Sequence, residues 1–560
     1  MDNQRLLFFA VFAISLYFLW TGWQNEQAKL RAPQVAAQAI ENPALPQDIQ
    51  KAPGDNASPK TIEPQIKNVP SLPPVTVTTD LYEVSINPVG GVIEKMALLK
   101  QPSAEDKTKP YLVMQNQEGR YLVAQSGFAS EGLPNHYTTY QITSQQLELK
   151  EGEDRFDLHL QATADNNDVV EQIFTFHRNS YVIDVTYKVT NKTATEQSPV
   201  AYFQFKRDKQ EVSKRNAMAP AAYVGAAVFD KNDNFKKVDF KAMDKIAADP
   251  VNNPLPYTAK NNDGWVAMIE HYFVTAWALP KENETERTFF TKAVGEDKYT
   301  AGMQIPLGVI APQQTASLTV PLYAGPQDQD VLSQLAPSLN LVVDYGIFTV
   351  IAKPMFWLVN FFYRLIGNWG WAIIAMTILI RLVFYPLNAA AARSMAKMKI
   401  IAPKMKLIQE EFKEDKQQMQ VRMMELYKKE KINPLGGCLP ILIQMPFFIA
   451  LYWVLLSAAE LRYAPWFLWI QDLSQPDPYF ILPALYAVSA FLQMKLSPTP
   501  VTDPAQAKMM QMLPVVFAVL FVFFPSGLVL YWFVSNLFQI GQQWYVNRML
   551  EREAAKRNAS

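Results

Sequence analysis

The sequence predicts a polytopic α-helical membrane protein with six transmembrane helices, a large all-β domain outside the membrane and a helical hairpin inside. Three observations support this prediction. Long apolar runs with aromatic ends lie at the N-terminus and in the last third of the chain. Between them, apolar and polar residues alternate with a period of two. Residues 24–352 hold 30 Lys and Arg against 39 Asp and Glu, whereas the remainder holds 22 against 13, which indicates two compartments.

The first 23 residues contain an apolar run, Leu6–Trp23, that follows Arg5. A cleavable signal peptide is the alternative, but no small-residue cleavage site follows the run. Trp20 and Trp23 suit an interfacial anchor. We therefore expect residues 1–23 to form an uncleaved signal-anchor helix with a cytoplasmic N-terminus.

Residues 24–74 are rich in Pro, Ala, Gln and Asn and have no hydrophobic period, so we expect a flexible linker there. Residues 75–337 are predicted to form a large antiparallel β-sandwich, because short alternating runs are separated by turn residues. These runs are Leu81–Ile86, Gln146–Leu149, Glu171–Phe176, Tyr181–Val189 and Ser317–Leu322. The single cysteine, Cys438, excludes an internal disulfide.

Residues 344–366 are apolar enough to cross a membrane, but they include Lys353, Pro354 and Arg364. If they crossed, the loop 388–434, with 11 basic and 6 acidic residues, would lie outside, against the positive-inside rule. We therefore predict an interfacial amphipathic helix at 344–366.

The remaining apolar runs are predicted to be transmembrane helices, with both termini of the chain inside. The second transmembrane helix is 369–387, and residues 435–545 contain the other four: Leu435–Leu456, Tyr479–Leu496, Met509–Phe524 and Gly527–Tyr545. Residues 388–434 are predicted to form a helical hairpin, since apolar residues recur at spacings of three and four. Pro403 predicts a kink or a new helix start. Residues 546–560 form a basic cytoplasmic tail.

Arg381 is the residue that points to a function. A charge near the centre of a membrane helix costs about 2.5–3.5 kcal/mol, and the apolar runs offer no Asp, Glu or His as a partner. The side chain could extend roughly 9 Å to the inner surface, or it could lie in a hydrated groove. Polar residues that could line this groove with Arg381 are Thr377, Gln444, Ser535, Asn536 and Gln539. Their alternative role is interhelical hydrogen bonding.

Motifs for other kinds of site are missing from the sequence. It contains no HExxH, no paired Cys/His zinc pattern, no GxxxxGK[ST] and no GxSxG, so we predict no catalytic residue, metal site or cofactor. A solute transporter is one alternative, but its usual intramembrane acids are absent. A membrane-tethered glycan-binding protein is another, although five polar-lined spans exceed what an anchor needs.

Several long motifs resemble one family. They are TDLYEVSINPVGG (Thr79–Gly91), KINPLGGCLPILIQMPFFIALYW (Lys431–Trp453), DLSQPDPYFILP (Asp472–Pro483), SPTPVTDP (Ser497–Pro504) and FPSGLVLYWFVSNLFQIGQQ (Phe524–Gln543). They closely resemble the YidC/Oxa/Alb family of membrane protein insertases, in its Gram-negative form with a large periplasmic domain. The resemblance covers essentially the whole chain.

The resemblance implies a bacterial inner-membrane insertase and chaperone that does not hydrolyse ATP and takes no small-molecule substrate. It implies a periplasmic β-supersandwich similar to mutarotase-like folds, and a groove with Arg381 that opens to the cytoplasm. Substrate helices would slide along Met445, Pro446, Leu520 and Trp532, the last of which is Tyr in close relatives. The implied partners are nascent membrane proteins, the Sec translocon (SecYEG with SecDF), membrane lipids and the ribosome, reached through the hairpin and the basic tail.

Overall fold

The computed structural model describes residues 72–559, except 104–105, 118, 211–222, 248–256, 281–283, 296, 431–438, 497–511 and 513–514. The predicted signal-anchor helix (1–23), the linker up to residue 71 and the motif Ser497–Pro504 lie outside the described residues. The chain divides into two compact units. One contains Lys67–Ala402 and Asn433–Ser560, and the described part of the other is 403–430.

Two antiparallel sheets of nine strands each form the β domain. The first sheet has the spatial order β1 (Val75–Thr78), β2 (Tyr82–Asn87), β3 (Val92–Pro102), β4 (Pro110–Gln117), β5 (Arg120–Phe128), β10 (Val200–Asp208), β17 (Lys298–Pro306), β16 (Arg287–Val294) and β13 (Tyr257–Asn261). The second has the order β12 (Asn234–Val238), β11 (Gly225–Asp230), β14 (Trp265–Glu270), β15 (Phe273–Ala278), β18 (Thr315–Pro326), β9 (Val182–Thr190), β8 (Val169–His177), β7 (Arg155–Thr163) and β6 (Gln141–Ile142).

The period of two in the sequence positions the core of this sandwich. In β9, Ile183, Val185 and Tyr187 are fully buried, while the residues between them are only half-buried or exposed. Such side chains contribute about 1.5–3 kcal/mol each when they leave water. Apolar residues of both sheets share one core. The predicted β-sandwich is therefore confirmed.

One predicted strand, Gln146–Leu149, is wrong. This segment meets only the end of β1, through Thr78 N–H donating to the Leu147 carbonyl and Leu149 N–H donating to the Thr78 carbonyl, both at 3.0 Å. A turn at Glu151–Gly152 follows immediately, so the pairing cannot extend into a ladder.

One helix lies between strands of the sandwich in the chain, and the other described helices follow the sandwich. They are α1 (Phe240–Ala247), α2 (Gln329–Leu335), α3 (Thr349–Ile366), α4 (Trp369–Val383), α5 (Tyr385–Glu411), α6 (Lys416–Lys429), α7 (Leu439–Ser457), α8 (Ile481–Leu496), α9 (515–521) and α10 (Ser526–Ala559). Short 3-10 helices lie at Leu339–Val342, Gly346–Phe348 and Ala459–Leu461. Polar side chains cap several starts, as Asn368 does for α4 by accepting from Trp371 N–H at 3.1 Å.

The predicted span 369–387 is not one continuous helix in the structure. Helix α4 ends at Val383, α5 begins at Tyr385, and the two helices are bent by 64°. Pro386 explains the break, because it has no N–H to donate to the carbonyl four residues earlier and its ring clashes with that carbonyl. No new helix starts at Pro403, since α5 continues through it to Glu411.

Within the described residues, Gly346–Ile366 is long and apolar enough to cross a membrane, and the bent pair of α4 with Tyr385–Ser394 is a second candidate. Helix α3 buries Met355 and Val359, whereas Trp357 and Leu365 on another side are 67% and 68% exposed. An interfacial position for 344–366 remains a prediction.

The loop 457–477 fastens the β domain to the helices. The Arg462 guanidinium lies over the rings of Phe273 and Tyr463, at 5.1 and 4.6 Å from their centroids. Its Nη2 donates to the Pro102 carbonyl at 2.9 Å. A cation held between rings in this way contributes about 0.5–2 kcal/mol. The outer ends of the helices are thus held against the sandwich.

Glu460 in the same loop is a buried carboxyl. Its Oε1 accepts from the Gln329 N–H at 3.2 Å, and its Oε2 has no hydrogen-bond partner among the described residues. Burial, together with the negative charges of Asp328 and Asp330, raises the pKa of Glu460 to about 7.

This raised pKa predicts a pH-dependent stability. Stability linked to a raised carboxyl pKa is fully present below the ordinary value near 4.5 and is lost as pH rises through about 7. We expect the thermal midpoint in detergent to fall by a few °C between about pH 5 and pH 8, and Glu460→Gln to reduce this fall. Glu286→Gln, at an exposed pair with Lys260, is the control and should retain it. An unchanged pH dependence in Glu460→Gln would contradict the assignment.

Candidate functional site

Helix α4 presents Arg381 on its packed face. Arg381 follows Ile373 and Thr377 at steps of four residues, so the three side chains lie on one side of the helix. Arg381 is 5% exposed, and Thr377 is fully buried. Ile378 and Leu382, on the other side, are exposed at the protein surface. The arginine therefore points into the bundle and not out from its apolar surface.

A cavity of about 340 Å³, which includes space open to the surface, lies beside Arg381. Four helices contribute to its wall: α4, α5, α7 and α10. The lining residues are Ile380, Arg381, Phe384, Leu387, Asn388, Gln444, Phe447 and Tyr531. The wall is thus mainly apolar, with one cation and three neutral polar side chains.

The charge of Arg381 has no acidic partner in the described part of the chain. An arginine stays protonated in proteins, and a buried charge is costly unless polar groups satisfy it. The neutral polar groups on the wall are Asn388, Gln444 and Tyr531. The cavity therefore combines a positive charge that has no carboxylate beside it on the wall with three neutral polar side chains.

Of the six predicted groove residues, two line the cavity and four do not. Arg381 and Gln444 both line the cavity, and Gln444 Nε2 donates to the Tyr531 hydroxyl at 3.4 Å. Thr377 does not line it, because its hydroxyl donates to the Ile373 carbonyl of its own helix at 2.6 Å. Asn388, which also lines the cavity, lies just beyond the predicted span 369–387 and belongs to α5.

The remaining three predicted groove residues, all on α10, also lie off the cavity wall. Asn536 Nδ2 donates to the Ser489 hydroxyl at 3.4 Å, and Gln539 Oε1 accepts from Gln493 Nε2 at 2.6 Å. Both contacts join α10 to α8, which is the interhelical role that the sequence left open. Ser535 is fully buried, and its hydroxyl oxygen has no hydrogen-bond partner among the described residues.

Tyr531 is the cavity residue that the sequence analysis missed. It lies four residues before Ser535, so it shares a face of α10 with a residue that was predicted to line the groove. Its aromatic ring made it resemble an ordinary core residue, and it is 1% exposed. Extending the polar face of α10 by one turn would have found it.

The four residues along which substrate helices were predicted to slide differ in their surroundings. Met445 is 40% exposed on α7, where Pro446 is half-buried, and Leu520 is half-buried on α9. Trp532 instead packs within an aromatic cluster, with ring centroids 5.2 Å from Phe448 and 6.1 Å from Tyr486. Its ring is half-buried and packs against the bundle core.

The outer end of the bundle is closely packed. Ser526 N–H donates to the Gln475 carbonyl at 2.7 Å, and Gly527 N–H donates to the Leu473 carbonyl at 3.0 Å. Gly370 lies against the ring of Trp466, so that a Cβ there would come within 2.1 Å of the indole. The loop 457–477 therefore covers the starts of α4 and α10.

Comparison with known proteins identifies the family. One family model, the YidC periplasmic domain, matches residues 74–358, and another, the 60Kd inner membrane protein, matches residues 361–553. A "Membrane protein insertase YidC" from Nitrosomonas europaea is 45% identical over 98% of this chain and 91% of its own length. The chain belongs to the YidC family of membrane protein insertases. The family predicted from the motifs is confirmed, and this family is one of insertases, not enzymes.

Further relatives agree. A "Membrane protein insertase YidC" from Nitrosospira multiformis is 44% identical, over 99% of this chain and 98% of its own length. Among solved structures, one described as an active YidC insertase with the first transmembrane domain resolved is 18% identical. It covers 85% of this chain and 93% of that chain, with a TM-score of 0.41.

The aromatic surroundings of Trp532 predict that its main contribution is to stability. We expect Trp532→Ala to destabilise the bundle by about 3–5 kcal/mol and to lower its thermal midpoint in detergent, because the truncation leaves a cavity. Trp532→Phe should cost less, since it keeps a ring. Met445→Ala on the exposed surface is the control and should change the midpoint little. A Trp532→Ala protein as stable as the parent would show that the ring is not a core residue.

Proposed function

We propose that the cavity beside Arg381 receives the polar, translocated segment of a nascent membrane protein while the hydrophobic segment of that client enters the lipid. One observation carries this proposal: a buried arginine lines a surface-open cavity with no acidic partner in the described chain. If Arg381 were held in a permanent ion pair within the bundle, a cavity open beside it would have no evident use. A transient carboxylate of the client fits the charge.

The proposed energy source is the partition of the client's apolar segment into lipid. Each buried CH₂ contributes about 0.8 kcal/mol, so a helix of ordinary length releases enough free energy without ATP. A polar cavity that reaches part-way across the membrane shortens the apolar barrier for the polar segment. Met445, Pro446, Leu520 and Trp532 are the proposed path of the apolar segment, and the exposure of Met445 suits this role better than the packing of Trp532.

We infer that the cavity opens toward the cytoplasm. The loop 457–477 and its contacts with Ser526 and Gly370 cover the opposite end of the helices. In this arrangement six helices cross the bacterial inner membrane, the first of them 1–23, with both chain termini cytoplasmic. The β domain is periplasmic, and 344–366 lies at the membrane interface.

The proposed partners contact the inner side. In the unit with residues 403–430, Lys404 pairs with Glu430 at 2.8 Å, while Leu407 and Met424 are 63% and 57% exposed. Exposed methionines suit varied apolar partners, and the basic residues suit ribosomal RNA or anionic lipid. We propose that this helical pair and the basic tail contact translating ribosomes, and that SecYEG and SecDF assist with some clients.

The role of Arg381 predicts a client-selective defect. Arg381→Ala should reduce insertion of a client that carries an acidic residue in its translocated segment by roughly tenfold, because charge-assisted hydrogen bonds contribute about 1.5–3 kcal/mol. The same client with a neutral amide at that position should insert nearly normally. Protease protection of the translocated segment measures both. Arg364→Ala, at an exposed pair with Asp330, is the matched control. Equal insertion of both clients by Arg381→Ala would contradict the proposal.

The proposed path predicts contact with the client. A photoreactive residue at Met445 or Leu520 should crosslink to a ribosome-bound nascent chain only after the client's apolar segment has emerged. Photoreactive residues at Leu365, on the exposed side of α3, provide the comparison. If neither Met445 nor Leu520 yields an adduct in correctly folded protein, the path does not follow these helices.

A further inference from the structure

Tyr531 places the only phenol on the wall of the described cavity. Its ring belongs to the core of the helical bundle, and the residue is 1% exposed. Its hydroxyl accepts from Gln444 Nε2 at 3.4 Å, which leaves one further lone pair and the O–H of the phenol. The phenol therefore has both an acceptor and a donor left for a group inside the cavity.

The neutrality of this wall has a physical consequence for Arg381. A resident carboxylate would form a charge-assisted pair about twice as strong as a neutral hydrogen bond, and breaking a buried pair is costly. Such a partner would occupy the guanidinium permanently. A phenol oxygen is a weaker acceptor, so an incoming carboxylate can replace it.

We propose that Tyr531 is a client-contacting residue of the groove, whose phenol, held by Gln444, is a neutral group beside Arg381 that leaves the guanidinium available for a client carboxylate. When the carboxylate arrives, it takes the guanidinium and accepts from the phenol O–H. This inference rests on the proposed function and adds to it a residue that determines selectivity for acidic segments.

The test uses the full-length protein and two clients that differ by one Asp or Asn in the translocated segment. Tyr531→Phe should lower insertion of the Asp client roughly three- to tenfold, the size expected for one hydrogen bond, and leave the Asn client unchanged. Tyr486→Phe is the matched control, because it removes the phenol oxygen of another buried tyrosine, on α8, that does not line the cavity. It should affect neither client.

A double-variant comparison separates client contact from packing. If the phenol reaches the client carboxylate only when Arg381 holds it in the cavity, adding Tyr531→Phe to Arg381→Ala should cause no further loss with the Asp client. A full additional loss, or an equal loss with both clients, would overturn the proposal. If Arg381→Ala itself fails to distinguish the two clients, the proposed function fails, and this outcome is distinct from a failure of Tyr531→Phe alone.

A second variant tests the need for a neutral wall. Gln444→Glu keeps the shape of the side chain but places a permanent carboxylate beside Tyr531. We expect it to lower insertion of the Asp client to the level of Arg381→Ala while the Asn client still inserts. Normal insertion of the Asp client by correctly folded Gln444→Glu would show that a neutral wall is unnecessary, and it would overturn the proposal.

Discussion

The positive charge of Arg381, buried among packed helices, is the constraint on which the rest of the bundle depends. Because its guanidinium cannot lose a proton, the surrounding helices must supply polar groups or an opening to solvent. The break between α4 and α5 helps to provide this, since it brings Asn388 to the same wall as Arg381. Helices α7 and α10 complete the wall with Gln444 and Tyr531. None of these three groups is charged, so the described wall holds no carboxylate beside the arginine.

The β domain has its clearest structural role at the other end of the helices. Arg462, between aromatic rings of the sandwich and of its own loop, links the loop 457–477 to the strands. A second link is the hydrogen bond that His271 Nε2 donates to the Leu456 carbonyl at 2.8 Å, at the end of α7. The bundle is closely packed at the end near the β domain, and its cavity with the buried arginine lies elsewhere. This asymmetric arrangement suits the proposed lowering of a barrier from one side only.

The polar residues of the helices show which features of the site can be predicted from the sequence and which cannot. Spacing correctly placed Thr377 and Arg381 on one face, but it could not distinguish a side chain that enters a cavity from one that bonds to its own backbone. Asn536 and Gln539 were grouped with Arg381, yet they bond to α8. Tyr531 was overlooked because an aromatic residue in an apolar run is usually part of the core.

The sequence by itself determined the β-sandwich, the positions of most helices and the family, and it singled out one arginine for a proposed role, because hydrophobic period, charge and long motifs are local properties. The tertiary structure alone decided which helices share a cavity, that Pro386 breaks the predicted span, and that Trp532 packs into an aromatic cluster. These features depend on how distant segments pack against each other. No spacing along one helix specifies which side chain of another helix will face it.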